Sequence, residues 1–165
     1  MDSIISKNYS QIQKYDVSRE TCNDFESLIG LIQEKNREIN IISKKTTEKE
    51  AIRQRHIIDS AQIIDFIDLN SNTTSDLGSG AGFPGLIIAI LLKRLNPKMR
   101  VNLYEKSFHK SIFLSDASRK LDLNTKVIRK DIFVTKNIET GTIMSRAFKP
   151  LPVILELVTQ NFKKY

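Results

Sequence analysis

Apolar residues recur along this chain with two different periods, and the change of period divides it. Over residues 21–40, Phe25, Leu28, Ile29, Ile32 and Ile39 fall at helical spacing and predict an amphipathic helix packed on something else. Residues 40–45 break that period. Thr47-x-x-Glu50 then has the form of a capping box and opens a second predicted helix through Ile52, Ile57, Ile58, Ala61 and Ile64, with Ile67 at its end. Residues 1–17 are polar, with Ile4, Ile5, Ile12 and Val17 isolated, and predict a short helix or a loose arm.

Past a polar link over residues 69–74 the pattern changes. A short strand-like run leads into residues 75–85, Ser-Asp-Leu-Gly-Ser-Gly-Ala-Gly-Phe-Pro-Gly, and residues 86–92 are apolar all round, which suits a helix buried against a sheet. Asn96-Pro97 stops that helix, residues 100–104 alternate as a strand ending at Glu105, and Ser107 caps a helix carrying Ile112, Phe113, Ala117 and Leu121. Residues 125–129 and 141–145 read as two more strands. Pro150 and Pro152 introduce a last helix with Val153, Ile154, Leu157, Val158 and Phe162 on its apolar face. The alternation predicts an α/β fold: a Rossmann-like, mostly parallel sheet of order 3-2-1-4 over residues 71–165, behind a helical extension over residues 1–70. The ligand crevice then lies at the carboxyl ends of strands one and four, where the winding reverses, and strand four is left as an exposed edge.

Four of the six glycines fall within residues 75–85. Such a strand-to-helix bend brings bare backbone up to a ligand. Two ligand classes fit. Gly80-x-Gly82-x-x-Gly85, with Glu105 downstream, satisfies a dinucleotide fingerprint. Asp76, two residues ahead of Gly78, favours the other: a carboxylate at the mouth of the loop would repel a pyrophosphate and suit a cationic ligand. S-adenosylmethionine carries a sulfonium and an ammonium and no phosphate, so a methyl donor is expected before NAD.

Glu105 ends strand two where an open α/β sheet reads a ribose. Lys130-Asp131, just past strand three, is where an adenine edge would lie, and Asp131 could accept from its exocyclic amine. Ser145-Arg146-Ala147-Phe148 follows strand four and faces the reacting group, with Arg146 contacting the donor or bridging it to RNA. The Pro-Pro-aromatic signature of amino-group methylation is absent there. Cys22, the one cysteine, lies in the extension as a small core residue rather than a nucleophile, and no thiolate metal cluster is expected. An acceptor already nucleophilic at neutral pH remains, such as guanine N7, for which alignment rather than a general base drives the reaction. His56, in His56-Ile-Ile-Asp59-Ser60, is structural or functional.

Charge sharpens the choice of partner. A formal net charge of +7 with a pI near 9.5 favours a polyanion, nucleic acid before membrane. Lys44, Lys45, Lys49, Arg53 and Arg55 in the extension, with Lys106, His109, Lys110, Arg119, Arg129 and Lys130 in the sheet domain, are candidates for a phosphate-binding rim. The longest apolar run, seven residues at 86–92, is too short to cross a bilayer, no signal peptide is apparent, and a soluble cytoplasmic protein is expected.

Taken together, Asn40-Ile-Ile, Arg55-His56-Ile-Ile-Asp59-Ser60, Asp76-Leu-Gly-Ser-Gly-Ala-Gly-Phe-Pro-Gly85, Glu105 with Lys110-x-x-Phe113-Leu114, Arg129 and Ser145-Arg146-Ala147-Phe148 resemble one family. It is the bacterial 16S ribosomal RNA guanine-N7 methyltransferases, RsmG or GidB, and the likeness runs from about Asn36 to the end. The resemblance implies a class I S-adenosylmethionine-dependent fold behind a helical segment, acting on a guanosine in the decoding-region loop of the small subunit; a monomer without metal is expected. The resemblance maps donor contacts onto Gly78, Phe83, Lys130, Asp131 and Arg146; with the glycine bend and strand-end reading above, the expected donor set is Gly78, Gly80, Gly82, Phe83, Glu105, Lys130, Asp131 and Arg146, and the RNA-binding candidates are His56, Lys110 and Arg129. Asp131 stands where that family more often has Glu. The family continues through a fifth strand and a closing antiparallel pair that this sequence lacks. A fragment or truncated reading frame is therefore expected, with an inactive donor- and RNA-binding remnant, or less so an NAD-linked oxidoreductase domain, as the alternative functions.

Overall fold

The computed structural model describes residues 7–163, so the expectations for Ile4 and Ile5 and for the chain's last two residues lie outside the described residues. A 3-10 turn, Ser10–Tyr15, leads to helix α1, Arg19–Glu38, which starts where the Ser18 hydroxyl accepts from the Thr21 amide at 3.1 Å. The described part of the arm is not loose: Tyr9, Ile12, Tyr15 and Val17 are all buried against the core.

The second predicted helix is a composite: α2, Lys49–Ile52, a π-helical turn, Arg53–Ile58, a short α3, Asp59–Ala61, and a 3-10 turn, Gln62–Phe66. The expected capping box does not form. Glu48 occupies the N-cap, and the Thr47 hydroxyl donates instead to the Lys44 carbonyl at 3.0 Å. The wider π turn shifts the helical phase by inserting a residue, which is how π segments commonly re-aim side chains at functional sites.

Strands β1, Thr73–Leu77, β2, Arg100–Tyr104, β3, Thr125–Ile128, and β4, Thr142–Met144, form a parallel sheet of order β3-β2-β1-β4, as the sequence pattern predicts. Between them lie α4, Gly85–Leu95, and α5, Phe108–Lys120; α6, Leu151–Asn161, follows β4. Residues on β2 alternate between faces. Val101 and Leu103 enter the larger core with α4, α5 and the extension, whereas Tyr104 joins Leu77, Ile132, Ile138 and Leu157 on the other side.

α4 is wrapped on all sides, since residues 86–92 are every one buried. It lies between β2 and the helices of the extension. Burial of each Leu and Ile side chain among them contributes about 2 kcal/mol before entropy is charged. Ion pairs from α4 to the extension, Lys93 Nζ with Asp24 at 2.9 Å and Arg94 with Asp16 at 2.7 Å, fix its outer end. α6 is less covered. Only Leu157 and Asn161 are buried on it, and Leu151 and Leu155 are exposed.

Candidate functional site

At the carboxyl ends of β1 and β4 a cleft of about 800 Å³ opens between the sheet and the extension. Its floor is the glycine bend, held to the end of β2 by the Gly78 and Ser79 amides, which donate to the Tyr104 carbonyl at 2.9 and 3.0 Å. Gly80 lines the cleft with φ at 58°, and a Cβ there would meet nothing nearer than the Gly78 oxygen at 3.8 Å. Backbone is thus bare to a ligand at Gly80. At Gly78, φ 74°, the Phe148 ring already covers the residue and would lie 2.2 Å from an added Cβ. Gly82 corrects the sequence reading: a Cβ there would lie 2.3 Å from Leu86 Cδ1, so it faces the core and does not line the cleft.

Asp76 also overturns an expectation. It is fully buried and absent from the cleft wall, and its Oδ2 accepts from the Gly85 amide at 2.9 Å. Burial pushes its carboxyl up to about 7. Its Oδ1 has no hydrogen-bond partner among the described residues. Asp76 therefore presents no negative charge at the mouth of the loop; its carboxyl fixes the start of α4.

Glu105 takes the place on the wall. Its Oε2 accepts from the Gly80 amide at 2.9 Å and its Oε1 from the Ser107 amide at 2.8 Å, so one carboxylate joins the bend to the start of α5. The predicted Ser107 cap makes no side-chain bond. Two carboxylate oxygens offer about four lone-pair sites, which leaves Glu105 able to accept from hydroxyls in the cleft as well.

Past β3, Lys130 and Asp131 line the cleft. Asp131 Oδ1 accepts from the Phe133 amide at 3.0 Å and caps a 3-10 turn, Ile132–Val134. The turn is held from below by α6. Asn161, 2% exposed, donates its amide to the carbonyls of Ile132, Phe133 and Thr135 at 2.8, 3.0 and 2.8 Å, and accepts from Lys136 at 2.8 Å.

Beyond β4 the chain turns at Ala147, a non-glycine residue with φ at 51°. Its flanking side chains part there: Phe148 goes to Gly78, and Arg146 crosses to the extension. Arg146 Nη2 donates to the Arg55 carbonyl at 2.7 Å and pairs with Asp59 at 3.1 Å, while Nη1 lies 3.4 Å from both Ser60 Oγ and His56 Nδ1. His56 stacks on Phe83, ring centroids 4.6 Å apart and planes nearly parallel, and both line the cleft. Burial, and then the Arg146 charge, lower the His56 pKa below its ordinary value and favour the neutral ring. With Nδ1 facing the guanidinium, the proton sits on Nε2, which is buried and has no partner among the described residues.

Of the expected rim, Lys106 and Lys110 line the cleft with Lys130. Arg129 does not; its guanidinium lies over the Phe108 ring, 5.2 Å from the centroid. Arg53 is 5% exposed and is spent on Glu26 at 2.9 Å and on Glu50, so it cannot bind phosphate. Lys49 also pairs with Glu26, and Arg119 with Asp116. Cys22 is buried.

The cleft also contains side chains the motifs do not announce. Ile41, Ile42, Ser43 and Thr46 form a lip from the extension, pinned where Asn36 Oδ1 accepts from the Ile41 and Ile42 amides at 2.8 and 2.9 Å. Phe133 and Phe148, ring centroids 6.1 Å apart, face it from the sheet. Asn40-Ile-Ile was the available signal for the lip. For Phe133 no spacing was. Among the described residues, no group of three His, Cys, Asp or Glu is placed to hold a metal, and no helix is long and apolar enough to cross a membrane.

Residues 21–165 match the family described as GidB, rRNA small subunit methyltransferase G. The chain is 54% identical over 161 residues to ribosomal RNA small subunit methyltransferase G of Pelagibacter ubique, covering 98% of this chain and 76% of that protein. It is 33% identical over 152 residues to the protein of the same name from Cereibacter sphaeroides, covering 92% and 73% respectively. The Rhodospirillum rubrum protein of that name is 35% identical over 142 residues, with 85% and 66% covered.

Proposed function

The chain belongs to the GidB family, that of rRNA small subunit methyltransferase G, and on that premise we propose that it methylates N7 of a guanosine in the decoding-region loop of 16S ribosomal RNA with S-adenosylmethionine as donor. The observation that carries the donor assignment is Gly80: an open backbone position on the cleft floor whose amide is held by Glu105. The residues present fit such a donor. The cleft volume, about 800 Å³, is that of a small-molecule site, and Glu105 keeps acceptor capacity for a ribose. When bound, S-adenosylmethionine supplies an electrophilic methyl group on a sulfonium.

The chain's own residues bind and orient. Glu105 holds sugar hydroxyls beside Gly80, and Lys130, Asp131 and the Phe133 turn border the base. Phe83 and His56 close the opposite wall, with Arg146 tying that wall to β4. Guanine N7 has a free lone pair, so the wall need only align it with the donor, and no side chain need take a proton first. Residues 71–165 supply the donor site in this reading. Residues 1–70 supply the lip and the anchor for Arg146, in a monomer working in the cytoplasm.

Calorimetry with S-adenosylhomocysteine and with NAD tests the donor class. S-adenosylhomocysteine binds in this account, Glu105→Ala weakens it, and binding of NAD alone refutes it. Donor binding with no RNA methylation would instead identify a binding remnant.

A further inference from the structure

Methyl transfer to RNA needs a grip on the polymer outside the donor cleft, and one surface feature remains unused by it. Phe108, the first residue of α5, is 54% exposed, and Ile112, one turn along the same face, is 40% exposed. Arg129 lies over the Phe108 ring at 5.2 Å, and the His109 ring stands edge-on at 5.5 Å and 73°. Lys106, Lys110 and Lys130, on the same two segments, line the adjoining cleft.

A lone exposed phenylalanine is ordinary. Here a guanidinium and an imidazole stand against the ring, and Lys106 and Lys110 on the same segment carry ammonium groups along the neighbouring cleft, Lys106 lying 3.8 Å from Asp131. An apolar protein partner covering the ring would have to desolvate those cations without compensation. A polyanion that also presents flat apolar faces satisfies both demands, and unpaired RNA is such a partner: bases stack on aromatic rings and on guanidinium planes while phosphates take the lysines. A duplex is not, because its base faces are already stacked inside the helix.

Resting on the RNA-methyltransferase reading above, we propose that Phe108 and Arg129 form a stacking platform for an unpaired nucleobase of the substrate, with Lys106 and Lys110 holding its neighbouring phosphates. The platform binds a nucleotide flanking the modified one, since it stands beside the cleft and not in it.

The test uses the full chain, a labelled purine-rich single-stranded RNA oligonucleotide, and the same strand annealed to its complement. Phe108→Ala weakens single-strand binding about tenfold. The slope of affinity against salt stays unchanged, because no phosphate contact is lost. Phe108→Trp restores affinity, duplex binding changes little, and S-adenosylhomocysteine affinity is unchanged in both variants. Unaltered single-strand affinity in Phe108→Ala, equal losses on single strand and duplex, or loss of S-adenosylhomocysteine binding each overturns the platform. The two readings fail separately: a wild-type chain that binds neither RNA sinks the substrate assignment and the platform together, whereas RNA binding indifferent to Phe108 sinks the platform alone.

Discussion

Arg146 donates to the Arg55 carbonyl oxygen at 2.7 Å, joining the loop after β4 to the π turn of the extension across 91 residues of chain. The same guanidinium pairs with Asp59 at 3.1 Å. Two sequence motifs, Arg-His-x-x-Asp-Ser and Ser-Arg-Ala-Phe, are thus one structural unit that sets the wall of the cleft. Arg146→Ala lowers methyl transfer about 10- to 100-fold, the scale of a lost charge-assisted hydrogen bond. Arg146→Lys does not restore it, because one ammonium cannot reproduce the planar fork. Rates of radiolabelled methyl incorporation into small-subunit RNA check both; full activity in Arg146→Lys would show that charge alone suffices.

The two cleft-side glycines separate backbone strain from collision. Gly80→Ala adds a Cβ to open space at φ 58°, so it costs about 1–2 kcal/mol of strain and puts a methyl group into the cleft. Some stability is therefore lost in Gly80→Val as well. Gly78→Ala carries similar strain and also strikes the Phe148 ring. Urea unfolding then shows Gly78→Ala the more destabilised, and in a Phe148→Ala background the two glycine substitutions cost about the same. Equal losses at both glycines would mean that the ring yields without cost.

Much of this fold was legible because hydrophobic period is set locally. Residues 100–104 alternate as a strand and are one; residues 86–92 are apolar all round and are buried all round. What was not legible depends on which way a side chain points once elements pack. Asp76 and Glu105 are both carboxylates near strand ends, yet one turns under the bend to Gly85 and the other up to Gly80. Gly80 and Gly82 look alike in sequence, but the bend turns one to the cleft and the other to Leu86. The π turn has no signature in Arg53–Ile58 itself; it follows from fitting Ile57 and Ile58 into the core while Arg53 reaches Glu26.

Asn161 carries a testable link from α6 to the cleft. Its amide holds three carbonyls of the segment behind Asp131 and Phe133. Asn161→Leu removes this donor from the three carbonyls, of which Ile132 still accepts from the Thr135 amide at 3.3 Å, and costs about 2–3 kcal/mol of stability. It also raises the KM for S-adenosylmethionine severalfold while kcat for the surviving folded fraction changes little. A fall in kcat at unchanged KM would place its influence elsewhere.

Asp76 gives a pH dependence with a definite sign. Its carboxyl is raised from 3.8 to about 7 by burial, so within that window the folded chain keeps a proton that the unfolded chain has lost. The contribution to stability is full at the acidic end, falls as pH rises through the window and is level above about 7. Asp76→Asn removes this term while keeping an oxygen for the Gly85 amide. Its stability relative to the native chain therefore improves from about pH 5 to about pH 8. A constant difference across that range would show that Asp76 titrates as an ordinary exposed carboxylate.

The most direct measurement is mass mapping of small-subunit ribosomal RNA after incubation with the full chain and S-adenosylmethionine. One methyl group on N7 of a single decoding-region guanosine is the predicted result, reduced when Glu105 is replaced by Ala. RNA returned unmodified by a chain that binds S-adenosylhomocysteine, or a methyl group on any other atom, would contradict it.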